Sequence, residues 1–170
     1  YFLRPYDPQC PALVGAIAAT RRIVEAARGA GVPVFYTAQK GNQDLKERGL
    51  QADLWGAGMP DDVEQTGIIE ELAPHEGESV LHKHRYSAFA RNDFARQLAE
   101  AKRDQLIVTG VYAHIGITAT ALEAFQREVQ PFLVADAVAD FGEAQHRAAL
   151  VQMADCCASV IMAAEVVQIL

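Results

Sequence analysis

Hydrophobic positions in this chain recur with a helical period in some stretches and form short apolar runs in others, and the alternation predicts the elements. Over residues 11–30, Leu13, Ile17, Val24 and Ala27 fall near one helical face, and Gly29 and Gly31 supply a stop. Residues 32–37 are β-branched and aromatic, a short strand. Residues 41–60 are polar and glycine-rich around Leu50, Leu54 and Trp55, a long excursion with one helical turn. Loops of this length in compact domains are often functional. Residues 79–83 give a second strand. Asn92 suits the N-cap of a helix reaching Lys102, with Asp93 in its first turn. A third strand over 105–109 precedes a helix over 116–128, and a fourth strand over 131–135 precedes a helix over 143–155. A fifth strand over 158–163 and a short helix from Glu165 complete the pattern.

Strands alternating with helices read as a parallel sheet covered on both faces, hence a single-domain, three-layer α/β/α fold of Rossmann-like type. The 170 residues allow one domain with a sizeable core. The net charge of -7 comes without a basic cluster, which argues against nucleic acid as a partner. No apolar run is long enough to span a bilayer, so a membrane is not expected either. The three cysteines, Cys10, Cys156 and Cys157, are odd in number and lack zinc-site spacing. The adjacent pair lies in an apolar segment and reads as buried thiols. With no secretory leader visible, the expectation is a cytoplasmic protein. No histidine and carboxylate spacing suggests a metal, and no cofactor is implied.

In parallel α/β sheets ligands bind beyond the carboxyl ends of strands. The run from Leu106 to Thr120 places Tyr112 and Gly116 there. A cysteine at the first turn of the following helix would be an activated thiolate, whereas Gly116 offers no side chain for nucleophilic chemistry. Gln39 also follows a strand at this end, as a ligand or as a turn former. Lys83 closes an apolar strand, where an ammonium can be desolvated or paired with a carboxylate. Position alone favours a surface lysine with a buried stem. Arg48 suits a bidentate grip on a carboxylate, although by itself it reads as a solvated charge. Phe2, Trp55 and Tyr86 suit the apolar wall of a small pocket, or core packing. His114 has no visible partner to orient its ring and reads as structural. Asp136 and Asp140 read as structural too, capping the next loop and helix.

Five blocks together resemble the isochorismatase-type cysteine-hydrolase superfamily. They are Leu106 to Thr120, Tyr1-Phe2-Leu3-Arg4-Pro5, Tyr36-Thr37-Ala38-Gln39, Lys83-His84-Arg85-Tyr86-Ser87-Ala88-Phe89, and Pro131 through Phe141. Gly116 stands where the cysteine-using members carry cysteine. The chain is therefore more similar to the branch without it, the siderophore isochorismatases and the phenazine-pathway 2-amino-2-deoxyisochorismatases. His84 departs from the pattern, standing where those isochorismatases carry tryptophan. Strand alternation would point it away from Lys83.

The resemblance implies a hydrolase for the enolpyruvyl ether of isochorismate or its amino analogue. It makes Lys83 catalytic. It makes Gln39, Arg48, Trp55, Tyr86, Tyr112, Gly116 and Phe2 substrate-binding. It also implies a cis peptide between Val111 and Tyr112. The substrate would be a small anion, and a homodimer is expected. Other readings are an amidohydrolase of the same superfamily, or a catalytically silent interaction module in a biosynthetic assembly line. Members of the family begin with a strand ending in an aspartate, shortly before an aromatic pair matching Tyr1-Phe2. The domain, residues 1–170, is thus expected to lack its N-terminal first strand. The loss of this interior strand would leave unpaired backbone groups and a slot in the core. The working protein is expected to have it, the alternative being an inactive fragment.

Overall fold

The computed structural model describes residues 1–7 and 10–170. Helix α1 (Pro11–Gly29) starts on a proline, which lacks only an N–H that the first turn leaves unpaired anyway. Its buried stripe is Leu13, Ala16, Ala19, Thr20, Ile23 and Ala27. Ile17 and Val24 are only half-buried. Val32 is taken into the turn that ends α1, its N–H donating to Ala27 O at 2.8 Å. Strand β1 therefore begins later than the apolar run and spans Phe35–Gln39.

The excursion holds two short helices rather than one turn, α2 (Leu45–Arg48) and α3 (Leu50–Trp55). Asp44 caps α2 by accepting from the N–H groups of Lys46 and Glu47. After α4 (Val63–Thr66) and a 3₁₀ turn (Glu70–Leu72), strand β2 covers Ser79–Lys83. Helix α5 (Phe94–Glu100) is shorter than expected. Its N-cap is Asp93 rather than Asn92, although Asn92 accepts from Phe94 N–H at 3.0 Å, and Lys102, at φ +54, already lies outside the helix. Strand β3 (Gln105–Val111) runs into a π-helical turn (Ala113–Ile117) and then α6 (Thr118–Gln126). The wide turn replaces the expected start of a regular helix at Gly116, and the peptide between Val111 and Tyr112 is cis. Strand β4 (Gln130–Ala139), α7 (Glu143–Cys156), β5 (Ser159–Ile161) and α8 (Ala163–Ile169) complete the chain. Cys157 is buried but Cys156 is exposed, so only one of the adjacent thiols fits the expected burial. The pair straddles the end of α7, where consecutive side chains diverge.

All strand pairs are parallel, in two pieces: β1 beside β2, and β3-β4-β5. Successive β4 residues point to opposite layers. Leu133 packs with Ala121, Ala149 and Met153 of α6 and α7, and Val134 with Ala19, Ile23 and Val166 of α1 and α8. This is the three-layer arrangement. The pieces are not hydrogen-bonded to one another. A largely apolar slot, part of a cavity of about 1540 Å³, is lined along its length by all of β1 and all of β3. Ile17 and Val24 of α1 line it too, which is why these core-type side chains are only half-buried. No helix among the described residues is long and apolar enough to cross a membrane.

Candidate active site

The parallel register pairs Gln39 with Lys83, the last residues of adjacent strands. Two polar side chains thereby share the carboxyl edge of the small sheet. Across the slot, Tyr112 stands just past the end of β3 and the π-helical turn supplies Gly116. Gly116 faces Lys83 closely. A Cβ built there would lie 3.2 Å from Lys83 Nζ and 3.4 Å from Tyr86 O.

Lys83 Nζ donates to Tyr86 O at 3.2 Å, and no carboxylate among the described residues forms an ion pair with it. Burial lowers its pKa from 10.5 to about 8. A desolvated, uncompensated ammonium in a cleft is a recognised mark of a functional site. Of the two roles open to Lys83 in the sequence, desolvation rather than pairing holds among these residues.

Arg48 is 5% exposed, which removes the solvated-charge alternative. Its Nε donates to Gly56 O at 2.7 Å. Gly58, at φ +88, lies against the guanidinium, and a Cβ there would stand 2.8 Å from Arg48 Cζ. The neck of the excursion is equally tight. Asn42 N–H donates to Met59 O at 2.9 Å, and a Cβ on Gly41 would fall 2.3 Å from Asp61 Cα. Trp55 Nε1 donates to Tyr86 Oη at 2.6 Å, bringing two of the expected wall residues together.

Phe2 and Tyr112 meet edge to face at 6.1 Å, and the Tyr112 hydroxyl donates to Phe2 O. Tyr6 and Phe141 flank the same ring at 6.1 and 4.2 Å. Burial pushes the Tyr112 hydroxyl up to about 12, with the Asp140 carboxylate adding to it. Tyr112 therefore stays protonated, and its hydroxyl is committed to the chain start. All eight expected site residues line the one cavity, and none of the three cysteines does.

His114 does have an orienting partner, contrary to the expectation from sequence. Its Nδ1 lies 2.6 Å from Asp140 Oδ1, and its N–H donates to Asp140 Oδ2 at 2.7 Å. Asp140 also accepts from Phe141 N–H at 2.8 Å. It clamps the turn bearing Gly116, a structural role with a partner 26 residues upstream that no local pattern reveals. Asp136 accepts from Ala163 N–H at 2.8 Å and so caps α8 rather than the next helix in the chain. β2 ends at Lys83, so strand alternation does not govern His84, whose carbonyl accepts from Arg85 Nη1 at 2.6 Å. Tyr6 and Phe141 also line the cavity, and no local pattern marks them as site residues. No group of three or more metal-type side chains gathers among the described residues.

The isochorismatase domain model matches residues 1–165. The phenazine biosynthesis protein PhzD of Pseudomonas fluorescens is 45% identical over 168 residues, covering 98% of this chain and 80% of that protein. The isochorismatase of Bacillus subtilis is 47% identical over 132 residues, covering 78% of this chain and 42% of that one. An isochorismatase-like hydrolase from Alkaliphilus metalliredigens superposes with a TM-score of 0.86 at 20% identity, covering 99% of this chain and 94% of that chain, which shows the shared fold. With the domain matched almost end to end and relatives this similar, the chain belongs to the isochorismatase family.

Proposed function

We propose that this chain hydrolyses the enolpyruvyl ether of isochorismate or 2-amino-2-deoxyisochorismate, releasing pyruvate and a dihydro-hydroxybenzoate-type product. The observation that carries the reading is the facing pair of Gly116 and Lys83: a bare backbone where a nucleophile would stand, beside a largely desolvated ammonium that no carboxylate among the described residues pairs. A vinyl ether needs no nucleophilic side chain. Protonation of its terminal methylene gives an oxocarbenium ion, water adds, and the hemiketal collapses to pyruvate and the ring alcohol. Lys83 and Arg48 offer two cations to an anionic substrate, and Gln39 a neutral hydrogen-bonding group. Trp55, Tyr86, Phe2 and Tyr112 give the pocket its apolar wall. The names of the relatives support this substrate class, and the family supports a hydrolase. The expected homodimer and cytoplasmic location are part of the same reading.

The step needs one carboxylic acid held protonated. We propose that it sits at the end of a strand preceding Tyr1, which occupies the slot between β1 and β3 and brings an aspartate beside Lys83. The slot supports this, since a strand there would pair with both facing edges. Intact mass and N-terminal sequencing of an active preparation test it. A folded, active sample whose mass matches only these 170 residues refutes it.

Coupled pyruvate detection with isochorismate tests the reaction itself. Turnover is expected without any covalent adduct on the protein. Hydrolysis of an amide such as nicotinamide in place of the ether would overturn the assignment. The amidohydrolase alternative lacks a thiol in the cavity.

A further inference from the structure

The excursion bearing Arg48 has little apolar anchorage. Leu45, Leu50 and Leu54 are 59%, 85% and 69% exposed. Beyond its neck, two side-chain bonds join it to the loop after β2. One is the Trp55 to Tyr86 bond. The other comes from Arg85, whose Nη1 donates to Glu47 O at 3.1 Å as well as to His84 O. The Glu47 carbonyl belongs to the peptide that joins it to Arg48. Arg85 Nη2 also lies against Gly49, 3.5 Å from where a Cβ would be. One guanidinium thus bonds the carbonyl just before Arg48 and lies beside the glycine just after it, while its own backbone stands two residues past Lys83.

We propose that Arg85 is a positioning residue that docks the excursion on the carboxyl end of β2, and so fixes Arg48 relative to Lys83. The proposal rests on the reading of Arg48 and Lys83 as groups that hold an anionic substrate. A substrate gripped by two cations on different segments is bound well only if their separation is fixed in advance. Arginine suits the task because the two N–H groups of Nη1 are fixed in the guanidinium plane and serve both carbonyls in one geometry, whereas the donors of a lysine ammonium rotate.

The test compares wild type, Arg85→Lys and Arg85→Gln in the full-length protein. Arg85→Gln is expected to raise KM for isochorismate about tenfold, the worth of one charge-assisted bond, while kcat falls less than about threefold. Arg85→Lys should fall between the two. Trp55 is the single tryptophan, so its fluorescence reports docking without substrate. Acrylamide quenching should rise about twofold in Arg85→Gln as the segment opens locally, and trypsin should cut faster after Lys46 and Arg48. Unchanged quenching and KM in Arg85→Gln would overturn the proposal, as would a loss confined to kcat. Should Arg85→Gln fail to fold, Arg85→Lys carries the same comparison. Absence of pyruvate release by wild type would refute the substrate reading alone, and the quenching and proteolysis would still decide the docking.

Discussion

Replacing Lys83 by methionine should make the protein more stable and nearly inactive. Methionine keeps the length of the side chain and removes the charge. The Lys83 pKa of about 8, below its ordinary 10.5, means that the folded state disfavours the ammonium. The sign comes from linkage: the penalty is fully present below about pH 8, fades as pH rises to about 10.5, and is gone above. At neutral pH it amounts to roughly 3 kcal/mol. Losing the bond to Tyr86 O costs about 1 kcal/mol in return. The expected net gain is about 2 kcal/mol at pH 7, vanishing near about pH 10 and turning into a loss of about 1 kcal/mol by about pH 11. Turnover should drop about a hundredfold to a thousandfold, the usual result of removing one positioned electrostatic group. Urea unfolding at pH 7 and pH 11, beside coupled pyruvate assays, measures both. A protonated carboxyl in the slot brings no counter-charge, so the expectation holds with the strand in place. A Lys83→Met destabilised at pH 7 would instead reveal an ion pair, hence an ionised carboxylate, and would refute the general-acid reading. Near-normal turnover would remove Lys83 from the mechanism.

In wild type the activity itself should decline as pH rises through about 8 and Lys83 loses its proton, and a pH profile flat to about pH 10 would contradict this. Gly116→Cys should fold, because the atom nearest the new Cβ is the mobile end of Lys83, but ether hydrolysis should slow without any gain of amidase activity, which paired rates and adduct mass spectrometry would check. Gly58→Ala should lower stability by more than about 1 kcal/mol and raise KM, since a positive φ and a 2.8 Å contact with Arg48 Cζ both oppose the methyl group. Asp140→Ala strands the N–H groups of His114 and Phe141 and should lower stability by about 1–3 kcal/mol, visible as a drop in Tm.

The sequence made the layers legible because period and burial agree in them. The predicted limits of β2 match the structure, and α1 and α7 differ from theirs by a single residue. Local pattern failed where a distant partner decides the geometry. Asp140 looked like a cap for the next loop and helix, yet it grips a turn 26 residues earlier in the chain. Gly116 looked like the start of a regular helix, yet Ile117 N–H reaches back to Tyr112 O and widens the turn. The excursion reads as a loop with one helical turn because its polar, glycine-rich sequence hides two short helices whose leucines, Leu45, Leu50 and Leu54, stay exposed. Lys83 and Arg48 were legible only through resemblance, since nothing in their local sequence separates a buried cation from a solvated one.

The slot and Lys83 are best understood as one feature. Lys83 stands where the slot, the end of β3 and the excursion meet, and each boundary comes from a different part of the chain. On the proposed reading, one strand pairs both edges of the slot and delivers the acid in the same event. Folding and catalysis would then be coupled through that strand. A substitution that weakens its pairing would loosen the sheet and misplace the acid together, whereas Lys83→Met separates the two effects and drives them in opposite directions. That contrast distinguishes a site assembled by the sheet from one merely carried on it.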